Sequence, residues 1–126
     1  MTSSSPVSDN AMFFAVIAKD HPGKTDLRAQ TKTRHSAHLD AAADGLRVLQ
    51  TGPLLDEGGA EVGSLLILEA VALATVENFM AADPYAKAGL FAQVEIHPWL
   101  WRRGNPYLTG EATGDANNEN NQELKR

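Results

Sequence analysis

Apolar residues along the chain fall into blocks separated by glycine, proline and polar turns, and the spacing inside each block predicts its element. "AMFFAVIAK", residues 11–19, is almost continuously apolar, partly aromatic or β-branched, and ends at the loop signal "DHPGK". It predicts a strand covered on both faces. "TDLRAQTKTRHSAHLDAAADG", residues 25–45, has no proline and many helix-tolerant residues, so it predicts a helix. Thr25 or Asp26 is expected to cap it and Gly45 to end it, with Leu27, Leu39 and several alanines as a modest core stripe. "LRVLQTGP", residues 46–53, predicts a second strand stopped by Gly52 and Pro53, and "VGSLLILEA", residues 62–70, a third; a long loop with Gly58 and Gly59 makes the two a hairpin. "VALATVENFMAAD", residues 71–83, places Ala72, Val76, Phe79 and Met80 at helical intervals. "LFAQVEIHP", residues 90–98, alternates as a strand, with Ala92, Val94 and Ile96 on one face and Phe91, Gln93, Glu95 and His97 on the other.

The order strand, helix, strand, strand, helix, strand is that of an α+β, ferredoxin-like βαββαβ fold: an antiparallel sheet with both helices on one face. The other face then needs a cover, because the first strand is apolar on both sides and a solvated face is normally polar. Pairing two sheets face to face in a homodimer supplies that cover. The mixed face of Phe91, Gln93, Glu95 and His97 suits a semi-polar space in which a small-molecule ligand can bind.

Composition narrows the setting. The chain has 126 residues, enough for one domain, and no cysteine, so it forms no disulfide and carries no thiolate nucleophile. A net charge of −5 argues against nucleic acid as a partner, since phosphate binding needs clustered cations. "MTSSSPVSDN" is not a secretory leader, and no apolar run approaches the roughly 20 residues of a membrane span. A cytoplasmic protein with no membrane partner is the expectation. Residues 1–10 and 109–126 lack the large apolar side chains that would offset their ordering entropy, so they are expected to be disordered tails around a domain spanning 11–108.

"TRHSAHLDAAADGLRVLQTGPL", "VGSLLILEA" and "ADPYAKAGLFAQVEIHPW" together resemble the YciI-like, or YCII-related domain, family over roughly residues 12–101. The features carrying the resemblance are "AHL" at 37–39, "GP" at 52–53, "GS" at 63–64 and "DPY" at 83–85, in that order and spacing. It implies a dimeric α+β barrel and a cleft holding a His–Asp dyad, carried here onto His38 and Asp83; no cofactor is expected. One relative is similar to a dehydrochlorinase acting on a chlorinated hydroxyquinol, so the resemblance also implies acid–base chemistry on a ring or enol. Many members carry an arginine three residues before the helix histidine and then a proline; here those positions are His35 and Ser36, and Arg34 lies one residue earlier.

An imidazole titrates near pH 6.5, so it both takes and gives a proton at neutral pH, and a carboxylate partner fixes its tautomer. Asp83 has a structural alternative: Asp followed by Pro84, with Gly89 beyond, is an N-cap, a first helical residue and a stop. Both roles can coexist in one carboxylate. Arg34, Ser64 and Tyr85 are candidate substrate-binding residues. His35 and His38 are spaced to share a helix face, but a metal would need a third ligand such as His97 or Glu95; a surface position for His35 is preferred, and no metal is expected. Trp99 and Trp101 are expected to pack a subunit edge rather than stack on a ligand, and Arg102 and Arg103 to be solvated. No G-x-S-x-G elbow or phosphate loop is present. Three functions fit: a His–Asp acid–base enzyme of lyase or isomerase type, a non-catalytic dimeric binder of a small anionic or aromatic metabolite, and an accessory domain acting through protein contacts.

Overall fold

The computed structural model describes residues 10–42 and 44–107. Apart from residue 10, the polar ends expected at 1–10 and 109–126 lie outside the described residues. The elements run β1 (Met12–Asp20), α1 (Thr25–Ala41), β2 (Leu46–Leu55), β3 (Glu61–Ala70), α2 (Leu73–Ala81), α3 (Pro84–Lys87) and β4 (Phe91–Trp99). The four strands form one antiparallel sheet in the order β2-β3-β1-β4. This is the α+β ferredoxin-like arrangement, with the short α3 inserted before the last strand.

Strand alternation divides the sheet into two faces. Phe14, Val16 and Ala18 of β1 stand beside Leu68, Leu66 and Ser64 of β3 on the inner face. Phe14, Val16, Leu66, Leu68 and Ala70 pack there against Val76, Phe79 and Met80 of α2, with Leu39 and Ala42 at the end of α1 closing the cluster. The outer face carries Phe13, Ala15 and Ile17 of β1, half-buried, beside Glu69, Ile67 and Leu65 of β3. The helices bury the inner side of β1 fully, whereas its outer side is only half-buried, with Trp101 lying against Phe13.

Several expectations shift in physically instructive ways. β2 continues through Gly52 and Pro53 to Leu55, because β2 is an edge strand, where proline's missing N–H costs no ladder bond. α1 starts without a side-chain cap: Lys24 holds the cap position, and Asp26 sits in the first turn, where its charge suits the helix dipole. Gly45 does adopt positive φ, +79°, but in the turn entering β2 rather than at the helix end. In β4 the register shifts opposite Lys19 and Asp20, so Phe91 and Ile96, of opposite parity, both reach the core while Val94 is exposed.

Beyond β4 the chain turns back over the outer face. Trp101 stacks on Trp99 at 4.8 Å and meets Phe13 edge-on at 5.4 Å. The two tryptophans thus pack within their own chain. Tyr107 then donates its hydroxyl to the Leu49 carbonyl at 2.8 Å. Leu49 is the residue left unpaired by the β2 bulge between Val48 and Gln50, so the bulge supplies the acceptor.

Candidate functional site

The site is built where α1 faces the α2–α3 corner. At that corner Asp83 is extended, with φ −62° and ψ 131°, and Pro84 takes the first helical position. Asp83 Oδ1 accepts the Tyr85 N–H at 2.9 Å, the cap expected from "DPY". At the other end of α3, Gly89 at φ +80° lets the Leu90 N–H return to the Tyr85 carbonyl and the Gly89 N–H to Ala86. A helix of four residues is therefore pinned at both ends, which fixes the backbone that carries Tyr85.

The carboxylate of Asp83, fully buried, also receives Nδ1–H of an imidazole, but that imidazole is His35. Its Nδ1 lies 2.9 Å from each Asp83 oxygen. This corrects two expectations. His35 is a buried residue, with 11% of its side chain exposed, rather than a surface one. His38 is engaged elsewhere: its Nε2 donates to the Phe79 carbonyl at 2.9 Å, and its ring stacks on Phe79 at 4.3 Å. That carbonyl belongs to the last turn of α2, where intrahelical donors run out, so His38 serves as a tie between α1 and α2. A step of three residues turns the helix by about 300°, which carries the two rings to different neighbours.

The buried side of α1 is polar. Arg28, Thr31 and His35, spaced by three and four residues, are its buried members. Arg28 is held at the end of β1 by Asp20, which accepts Nε–H at 2.7 Å and an Nη2–H at 2.9 Å, a two-pronged contact. Nη2 also donates to Ser64 on the inner face of β3, at 3.0 Å. Burial works against the charge on Arg28, but the hydrogen bonds and charge of Asp20 outweigh it and hold the guanidinium above its usual pKa. Ser64, a candidate from the sequence, thus braces an arginine that sequence reasoning missed. Of the other two sequence candidates, Arg34 is exposed on α1 and Tyr85 is buried.

Tyr85 links the two clusters. The His35 ring stacks on it at 4.0 Å with planes 16° apart, and the Arg28 Cζ lies 4.6 Å over its centroid. Phe91 closes the ring edge at 5.8 Å. Burial raises the Tyr85 pKa above its ordinary value of 10.0; Arg28 pulls against this, and Glu61, Asp83 and Asp20 add to it, so the phenol stays protonated. A cleft of about 480 Å³ opens at the β1–α1 turn, between Lys19, Asp20, Lys24, Leu54, Glu61 and Val62. His35 and Asp83 are not among its walls; Asp20 is, so the cleft adjoins the Arg28 cluster rather than the histidine.

A four-stranded antiparallel sheet of this order, with a histidine–carboxylate pair buried where α1 meets α3, defines a small α+β protein of the ferredoxin-like class. The chain belongs to the YCII-related domain family, whose model matches residues 12–100. It is 30% identical over 94 residues to an uncharacterized protein of Haemophilus influenzae and, over the same length, to Protein YciI of Escherichia coli; each match covers 70% of this chain and 96% of the relative. Among solved structures it is similar to 5-chloro-2-hydroxyhydroquinone dehydrochlorinase from Burkholderia phenoliruptrix, in complex with 2,5-dihydroxybenzoquinone. That likeness has a TM-score of 0.64 and 33% identity, covering 71% of this chain and 94% of the other. Among the described residues no helix is long and apolar enough to cross a membrane.

Proposed function

We propose that the protein is a small-molecule enzyme working by acid–base chemistry of lyase or isomerase type, with His35 as the proton carrier and Asp83 as its partner. The observation that carries this reading is the buried His35–Asp83 contact, both oxygens at 2.9 Å from Nδ1. Nδ1 donates to the carboxylate, so Nε2 holds the lone pair and is the atom that takes a proton. Asp83 stabilises the imidazolium that results, and the proton is then returned to another position of the substrate. Moving one proton from a ring hydroxyl to a ring carbon is such a step, and it prepares the ring to lose a halide with its bonding pair. The likeness to the dehydrochlorinase supports a hydroxylated ring as substrate.

The outer face supports a homodimer. Ile17 is half-buried there and Leu65 and Trp99 remain 39% exposed, an apolar strip that a second copy would cover. Sedimentation should then report twice the chain mass.

The test uses 2,5-dihydroxybenzoquinone in deuterated buffer, following loss of its ring C–H signal by NMR. The wild type is expected to accelerate exchange and His35→Gln to abolish the acceleration. Binding of the quinone that raises Tm without any exchange would replace the enzyme with the binding-protein reading.

A further inference from the structure

Arg28 and His35 stand two turns apart on α1, about 10.5 Å along its axis. Both approach the Tyr85 ring, Arg28 Cζ at 4.6 Å and the His35 centroid at 4.0 Å from its centre. Two turns of one helix leave room for the ring between the two groups, and the arrangement inferred is a clamp with one group on each face of Tyr85. α3 fixes the backbone from which the ring projects, through the Asp83 cap and the Leu90 return.

We propose that Arg28 is a positioning residue for His35, acting through Tyr85. This rests on reading His35–Asp83 as the proton-transfer pair. A hydrogen bond from Nδ1 fixes only one point of an imidazole; the ring can still rotate about that contact. Stacking on Tyr85 fixes its plane, and the two together fix where Nε2 points. Tyr85 can hold that plane only if its far face is supported. The guanidinium is suited to this, being flat and fastened at three contacts, two on Asp20 and one on Ser64. The cost of misplacing a reacting atom by about 1 Å is on the order of a hundredfold in rate, so a brace two turns from the histidine matters to the chemistry.

The arrangement also explains a charged residue in a buried helix face. A buried ion pair is poor evidence for stability, since apolar residues of similar volume commonly do as well. A geometric task for Arg28 accounts for its presence where net stability does not. On this proposal Arg28 acts through Tyr85 rather than on the substrate, so its removal should alter turnover while leaving substrate affinity in place.

The experiment reads the His35 ring in the full-length protein. Its carbon-bound protons are assigned by their disappearance in His35→Gln, and the stacked tyrosine should displace them upfield. In Arg28→Met, which keeps the apolar stem, most of that displacement is expected to be lost and the ring nitrogens to report mixed tautomers. The resonances of His38 should stay in place. Arg28→Lys keeps a charge but not the fork and should recover the displacement only in part. Tyr85→Phe should keep it and Tyr85→Leu should lose it. In the quinone exchange assay, Arg28→Met should lower kcat about tenfold to a hundredfold with KM unchanged. Should Arg28→Met fail to fold, Ser64→Ala removes one brace alone and should move the His35 signals in the same direction by less. A folded Arg28→Met or Ser64→Ala whose His35 shifts and tautomer match the wild type overturns the proposal. Wild type that leaves the quinone unexchanged while the stacking shift responds to Arg28→Met defeats the enzyme reading and upholds the brace.

Discussion

Asp83 meets His35 and the Tyr85 N–H with the same oxygen, Oδ1, at 2.9 Å in each case. One carboxylate therefore starts α3 and orients an imidazole. Asp83→Asn keeps an acceptor for the cap but removes the charge facing Nδ1; Asp83→Ala removes both. Proton exchange should fall in both variants, whereas chemical denaturation should show Ala less stable than Asn by about 1 kcal/mol, the usual worth of a cap.

The two histidines of α1 should separate cleanly. His35→Gln is expected to lower turnover by roughly a hundredfold to ten-thousandfold, the range for a lost general base. His38→Gln breaks the tie to the Phe79 carbonyl and should cost about 1 kcal/mol of stability while leaving turnover nearly intact. Paired rate and melting measurements on the two variants check this, and a large rate loss in His38→Gln would restore the assignment read from "AHL".

Asp20 is the counter-charge of a buried arginine, with both side chains 4% exposed. Asp20→Asn leaves that charge without its partner and should destabilise by about 3–5 kcal/mol, as broken buried pairs do. Ser64→Ala removes one neutral acceptor and should cost about 1 kcal/mol. Urea midpoints would rank the two, and equal losses would mean that Ser64 carries more than its single hydrogen bond.

Alkaline pH offers a test of Tyr85. Its folded pKa is raised above 10.0, chiefly by burial. The unfolded chain then loses the phenol proton first, so the stability this group contributes is complete below about pH 10 and is lost as pH rises through the folded value. Tyr85→Phe has no proton to lose, and its stability should decline less between neutral and strongly alkaline pH. Parallel pH–Tm curves for the two proteins would contradict the buried phenol.

Gly63 of β3 pairs with Lys19 of β1. A Cβ built there would lie 2.6 Å from the Ala18 carbonyl oxygen and 3.2 Å from Leu54 Cδ1. Backbone cannot yield as a side-chain tip can. Gly63→Ala should cost about 1–3 kcal/mol in unfolding free energy.

The fold was legible because its signals are local and apolar: a strand apolar on both sides and helical spacing over Val76, Phe79 and Met80; "GP" misled as a stop because β2 is an edge strand that tolerates proline. The cap at Asp83 was legible for the same reason, since "DP" followed by glycine is a backbone signal. Arg28 and His35 were hidden because the buried side of α1 is polar, and a search for an apolar stripe settles on Leu27 and Leu39 instead. The recurrence of Arg28, Thr31 and His35 at spacings of three and four was the available signal, and it becomes visible only once α1 is known to face a polar cluster. Choosing between His35 and His38 required the position of the α2–α3 corner, which no local pattern supplies.

Because the acid opposite His35 is also the residue that begins α3, the imidazole acquires its partner at the moment the corner closes. A nascent or partly melted chain has the histidine but no fixed carboxylate, so the proposed proton carrier is oriented only in the folded protein.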